Sequence, residues 1–410
     1  MDGTDAEHGL EVVAPAAAQS LRGALAEALG AIRANTLKPL QFSRDLGLDK
    51  SLGWKVSRFV GEEDAVVAFR HLPGRSGMKI VVDRLAASGV PDAMLKRIGT
   101  ALDDLDKVIE KHAGNRDTFD LMMASLSPQL AKERHEEFRR MAFQGNSATW
   151  GVQARLQLAI HAVAPSATTD TVDLAISAGL IDLRRLRPEV SWAVARSWRF
   201  SDTGETLNTL HQRPIDPAAP KDSLPIMTTF STSPLPPMVA RRETERPIVR
   251  YELEPGPIGN TGACTCVTGW YDQGVESIYR TETDVHGEHA VSLSTPAEAL
   301  YFELYVHKDM TFAHNPTVHV YSQLPGGPTY PRDGINGGKL EIPLEIVRLG
   351  GGRTAPSTVN PEYTKHRELV EATVGALGRP LTEYIGFRVR MAYPPIPALA
   401  VFRYELPTRP

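Results

Sequence analysis

The sequence predicts an α+β, multidomain protein: a helical N-terminal bundle followed by a β-rich, sandwich- or barrel-like C-terminal region with one added helix. Three observations lead there. At 410 residues the chain exceeds what a single hydrophobic core usually supports. Apolar residues recur every three or four positions up to residue 143, then alternate from residue 152. Prolines, 31 in all, thicken after residue 188, which favours strands and turns there over long helices.

The first element is expected to be a flexible tail, residues 1–19. It opens acidic (Asp2, Asp5, Glu7, Glu11) and lacks the basic and apolar regions of a signal peptide. A helical domain, 20–145, follows. Leu21, Leu25, Ala28, Leu29 and Ile32 share one face of a helix over 20–35, with Ser20 as its cap. Pro39 suits the first turn of a second helix that ends at Gly47. Asp49 can cap a third helix reaching Val60, with Leu52, Val56, Phe59 and Val60 inward. Further helices are read over 62–72, 77–87, 91–112, 117–125 and 128–143. On the longest, Leu95, Ile98, Leu102, Leu105 and Ile109 form a two-heptad seam, which suits a bundle helix or a homodimer contact.

At Gly145 the period is read as changing. Residues 146–213 form a β-rich segment, with strict alternation from Val152 to His161 and strands over 172–183 and 191–200. A Pro-rich linker or arm, 214–237, follows. A second β-rich domain, 238–410, has strands over 248–253, 299–306, 317–322, 339–347, 387–393 and 399–406, turns at 326–328 and 336–338, and a helix over 361–377.

Charge singles out one stretch. The chain carries −4 overall, yet residues 22–60 hold seven basic and three acidic side chains. A local basic patch suits an anionic partner such as DNA. Within it runs Gln41-Phe42-Ser43-Arg44-Asp45-Leu46-Gly47-Leu48-Asp49-Lys50-Ser51-Leu52-Gly53-Trp54-Lys55-Val56-Ser57-Arg58-Phe59. This run resembles the helix-turn-helix of bacterial transcription regulators of the IclR type, about 40–60 in a chain otherwise unmatched. The resemblance implies a recognition helix whose Lys50, Ser51, Trp54 and Lys55 face bases while Arg44 and Arg58 face the phosphate backbone. Two departures stand out. Gly53 replaces a branched apolar residue, which lowers helix propensity, and no wing strands follow.

Other constellations are sparse. His286, His289, His307, His314 and His319 fall within one stretch and form a metal site if neighbouring strands bring them together, with Glu288 and Asp309 as further ligands. Cys264-x-Cys266 points two thiols one way on a strand and reads as structural. Two cysteines make no disulfide framework and fit a reducing cytoplasm. No apolar run reaches membrane-spanning length, and no phosphate loop, dinucleotide fingerprint or nucleophile elbow is present. The leading reading is a cytoplasmic regulator that binds double-stranded DNA, with no catalytic residue or cofactor assigned. It self-associates as a dimer, and its β-rich region senses a small-molecule effector or mediates assembly. The alternatives are a structural protein whose helices dock a protein partner, and a metal-dependent enzyme using the histidines.

Overall fold

The computed structural model describes residues 9–126, 128–168, 170–197, 213–219, 224–242, 249–282, 285–324 and 338–410. The chain divides into two compact units, Met1–His135 and Glu136–Pro410.

The first unit is built from α1 (Leu10–Ala31), α2 (Pro39–Asp45), α3 (Lys50–Gly61), α4 (Ala65–Ala68), α5 (Arg75–Ala87), α6 (Asp92–Ala113) and α7 (Arg116–Leu126). The expected tail is largely helix instead: α1 begins at Leu10, while residues 1–8 lie outside the described residues. The reason is a stripe of small side chains. Ala14 and Ala18 continue the line of Leu21, Leu25 and Ala28, and all five are fully buried. The stretch 62–72, expected as one helix, is α4 followed by a 3-10 turn at Phe69–His71. The seam of α6 is spent inside the unit: Ile98, Leu105 and Ile109 join one core with Leu21, Leu25 and Phe59. It is a bundle face, so a homodimer would need another surface.

The helix α8 (Pro128–Trp150) runs on through Gly145. The change of period therefore comes at Gly151, which takes φ +70. The last turns of α8 give no helical signal in the sequence, because Gln144, Asn146 and Thr149 carry no apolar stripe. A Cβ on Gly151 would lie 2.5 Å from Arg187 Nε and 2.9 Å from Val190 Cγ2. Gly151→Ala should thus destabilise the second unit by about 1–2 kcal/mol, from left-handed backbone alone. A urea titration checks this; an unchanged midpoint would refute it.

The second unit holds fourteen named strands among its described residues. These are β1 (Val152–Pro165), β2 (Thr171–Arg185), β3 (Trp192–Ser197), β4 (Arg213–Pro214), β5 (Met238–Arg242), β6 (Val249–Leu253) and β7 (Cys264–Ser277). They continue with β8 (His286–Leu293), β9 (Ala297–His307), β10 (Thr317–Ser322), β11 (Lys339–Leu340), β12 (Ile346–Gly351), β13 (Tyr384–Ala392) and β14 (Ala398–Glu405). One helix, α9 (His366–Gly375), is shorter than the expected 361–377. Seven strands form a sheet in the order β12-β13-β9-β1-β2-β7-β4, four another as β11-β10-β14-β8, and three a third as β3-β6-β5.

The architecture is a sandwich with a helix on its outer face. Ala159, Val163, Phe302 and Phe387 of the large sheet meet Val291, Val320 and Phe402 of the four-stranded one. The opposite face of the large sheet, with Leu156, Leu158, Ile160 and Tyr305, is covered by Leu369, Val370 and Val374 of α9. This double cover explains why β1 departs from the expected half-buried alternation: Leu156–Ala164 is buried throughout.

Two expected boundaries dissolve. The segments 146–213 and 238–410 form one unit, because β1 pairs parallel with β9 and β2 antiparallel with β7. The Pro-rich stretch is no free arm where it is described. Ile215 N donates to Gly269 O at 3.0 Å, Met227 N to Val267 O at 2.9 Å and Thr232 N to Thr265 O at 2.9 Å. Leu224, Met227 and Phe230 are buried. Prolines left the intervening donors free to stitch this edge to β7. The expected turns at 326–328 and 336–337, and Pro220, lie outside the described residues.

Candidate nucleic-acid interface

The surface around α3 is assembled by short-range chemistry. Pro39 opens α2 at a position where its missing N–H costs nothing. Ser43 Oγ donates back to Pro39 O at 2.8 Å. The turn after α2 closes through Leu48 N donating to Ser43 O at 2.8 Å, with Gly47 at φ +62. Asp49 then caps α3, its Oδ1 accepting from Ser51 N at 2.8 Å. Gly53, Val56, Ser57 and Phe59 form the buried face, and Ser57 Oγ donates to Thr36 O at 2.5 Å.

Gly53 has a role the sequence did not reveal. It is buried where α3 crosses α2, and a Cβ there would meet Ser43 Cβ at 2.9 Å and Ser43 Cα at 3.1 Å. The glycine read as a weak point in α3 is the residue that lets the two helices approach.

Opposite lies the exposed face. Lys50, Ser51, Trp54, Lys55 and Arg58 are all exposed on α3, and Arg44 is exposed on α2. At roughly 100° per residue the five α3 side chains fall within an arc of about 140°. Lys50, Lys55 and Arg44 have no acidic partner among the described residues. Trp54, 43% exposed, sits edge-on to His71 at 5.2 Å, and the Arg58 guanidinium lies 5.8 Å from its ring centre. Burial, aided by Arg70, holds the His71 pKa down, so this ring stays uncharged at neutral pH.

The histidines do not converge. His289 is buried on β8, its Nε2 3.1 Å from Tyr404 Oη and its ring edge-on to His161 at 5.7 Å. Burial pushes its pKa down to about 4. His307 is buried at the end of β9, with Nε2 3.3 Å from Glu383 Oε2 and Nδ1 accepting from Asp309 N at 3.3 Å. His314 Nε2 lies 3.4 Å from the backbone oxygen of His307. His286 and His319 are half-buried on β8 and β10, and Glu288 is held by Arg403 of β14. Among the described residues no three His, Cys, Asp or Glu side chains gather as a metal site. Cys264 and Cys266 are buried and free, and burial pushes the Cys266 thiol up to about 12.

The polar residues that the fold brings together are others: His161 beside His289, and Glu303 with His366 and Arg388. Each had a signal in the sequence. His161 and Glu303 are lone polar residues in long apolar runs, and a run covered on both faces has no solvent side to send them to. Among the described residues no helix is long and apolar enough to cross a membrane. No family model matches this chain, and no curated protein matches it with significant similarity.

Proposed function

We propose that the helical unit binds double-stranded DNA through α3 and that the protein is a DNA-linked regulator, its β-rich unit serving sensing or assembly. The observation that carries this reading is the exposed arc of Lys50, Ser51, Trp54, Lys55 and Arg58 following a capped, glycine-containing turn. A major groove admits one helix, and the first turns of that helix reach base edges while flanking cations meet phosphates. Lys50, Ser51 and Lys55 are assigned to the bases, with Arg44 and Arg58 to the backbone. Trp54, braced by His71 and Arg58, is a platform that holds Arg58 in place. No wing contributes, since α4 and a 3-10 turn follow α3.

A second reading rests on Leu37, just before α2, and Leu40, on its first turn, which are 89% and 61% exposed. Bare leucines favour a protein partner docked on the same unit.

Anisotropy titrations with mixed-sequence duplexes at about 50 and 200 mM salt separate the two. DNA binding is expected to weaken steeply with salt. Arg44→Ala with Arg58→Ala should lower the log–log salt slope by roughly 0.9 per lost phosphate contact. Lys50→Ala with Lys55→Ala should erase preference among duplexes. Absence of binding at low salt would overturn the proposal and leave the protein-docking reading.

A further inference from the structure

A cavity of about 300 Å³ opens in the β-rich unit where β1, β2, β3, β7 and β8 meet. Its volume is that of a small-ligand site. Among the described residues, no Asp, Glu, Lys or Arg lines it. Ile176, Ala178, Val194 and Trp270 supply apolar wall.

Two polar side chains of β1 line it, Gln157 and His161, 9% and 3% exposed. Gln157 Nε2 donates to Ser292 O at 2.7 Å, which fixes the amide and leaves Oε1 as the outstanding acceptor. That Oε1 is buried with no hydrogen-bond partner, and so is His161 Nδ1. Burial, with His289 as a lesser influence, holds the His161 pKa well below its ordinary value, so the ring is a neutral donor and acceptor. Buried polar atoms are almost always satisfied. The two lie four residues apart on one strand and on the same face, and each is left wanting a partner.

We infer that this cavity binds a small uncharged molecule bearing a hydroxyl or N–H group, which donates to Gln157 Oε1 while its apolar body packs against Trp270. A charged ligand would meet no counter-charge among the described lining residues. The inference stands on the β-rich unit alone and does not require DNA binding.

The test uses the full chain and four probes: phenol and indole as neutral donors, benzene as the donor-free analogue, and benzoate as the charged one. Binding is read by Trp fluorescence and by the shift in Tm. Phenol and indole should bind saturably and raise Tm, with benzene and benzoate weaker by about tenfold or more, the worth of one well-made hydrogen bond. Gln157→Leu should abolish the advantage of phenol over benzene. Ala193→Trp, a half-buried position on β3, should fill the space and abolish binding of every probe, so a Gln157 variant that fails to fold leaves the test intact. Absence of saturable binding by phenol and indole would overturn the inference and leave a water-filled cleft. Equal binding of benzoate would overturn it too, as would binding insensitive to Ala193→Trp.

Discussion

Glu303→Ala is expected to destabilise the β-rich unit by about 3–5 kcal/mol, the usual cost of breaking a buried ion pair from one side. Glu303 is fully buried on β9. Its Oε1 lies 3.0 Å from His366 Nε2 and accepts from Arg388 Nε at 2.6 Å, and its Oε2 accepts from Tyr305 Oη at 2.7 Å. The partners are held in turn: His366 Nδ1 donates to Thr358 O at 2.8 Å and Arg388 to Val359 O at 2.7 Å. The cluster thereby ties β9, β13 and the start of α9 together. Removing the carboxylate leaves the Arg388 guanidinium without its counter-charge and His366 without its neighbour. Chemical denaturation measures the loss, and a change below about 1 kcal/mol would contradict the account.

The same site sets a pH dependence. Burial alone would raise the Glu303 pKa, but His366, Arg388 and the Tyr305 hydroxyl together outweigh it and hold the carboxyl below its ordinary value. A group whose folded pKa is depressed contributes stability above its unfolded pKa and loses it as pH falls through the folded value. The stability gap between wild type and Glu303→Gln should therefore be flat from neutral pH down to about 5 and shrink in acid. A gap that widens in acid would reverse the assigned sign.

Gly53→Val is expected to disrupt the helical unit. Overpacking alone costs about 1–3 kcal/mol, and here the obstruction includes backbone, Ser43 Cα at 3.1 Å from the added Cβ. Gly53→Ala is the sharper experiment. An exposed helical glycine gains about 1 kcal/mol on conversion to Ala. At this crossing the sign should invert, and Ser43→Gly should recover part of the loss because it removes the nearest side chain. A double-mutant cycle checks the coupling. A stabilised Gly53→Ala would show that α2 and α3 do not approach as closely as described. Loss of the crossing should also abolish the proposed DNA binding, since Arg44 and the α3 arc are placed relative to each other by it.

The helical part was largely legible because its determinants are local. Apolar spacing along α3 and α6, the Asp49 cap and the Gly47 turn each act within a few residues, and the structure places α3 and α6 within a residue or two of the sequence reading. Where reading failed there, the cause was side-chain size: alanines in α1 pack without looking like a core stripe, and the last turns of α8 carry polar residues. In the β-rich part β10 and β6 were legible, read over 317–322 and 248–253, while their partners were not.

By itself, then, the sequence determined a helical unit with a basic arc at residues 40–60, followed by strands and turns. Tertiary structure decided the rest. It merged 146–213 with 238–410 through the β1–β9 and β2–β7 ladders. It kept apart, among the described residues, the five histidines that the sequence offered only as candidate metal ligands, and it turned Gly53 from a propensity defect into a packing requirement. It also set Gln157 and His161 against a cavity and Glu303 against Arg388 and His366. The physical reason is the range of the interactions. Helical spacing and caps are satisfied within one or two turns of chain, whereas a ladder partner, a crossing helix or a counter-charge is chosen among residues far apart in sequence.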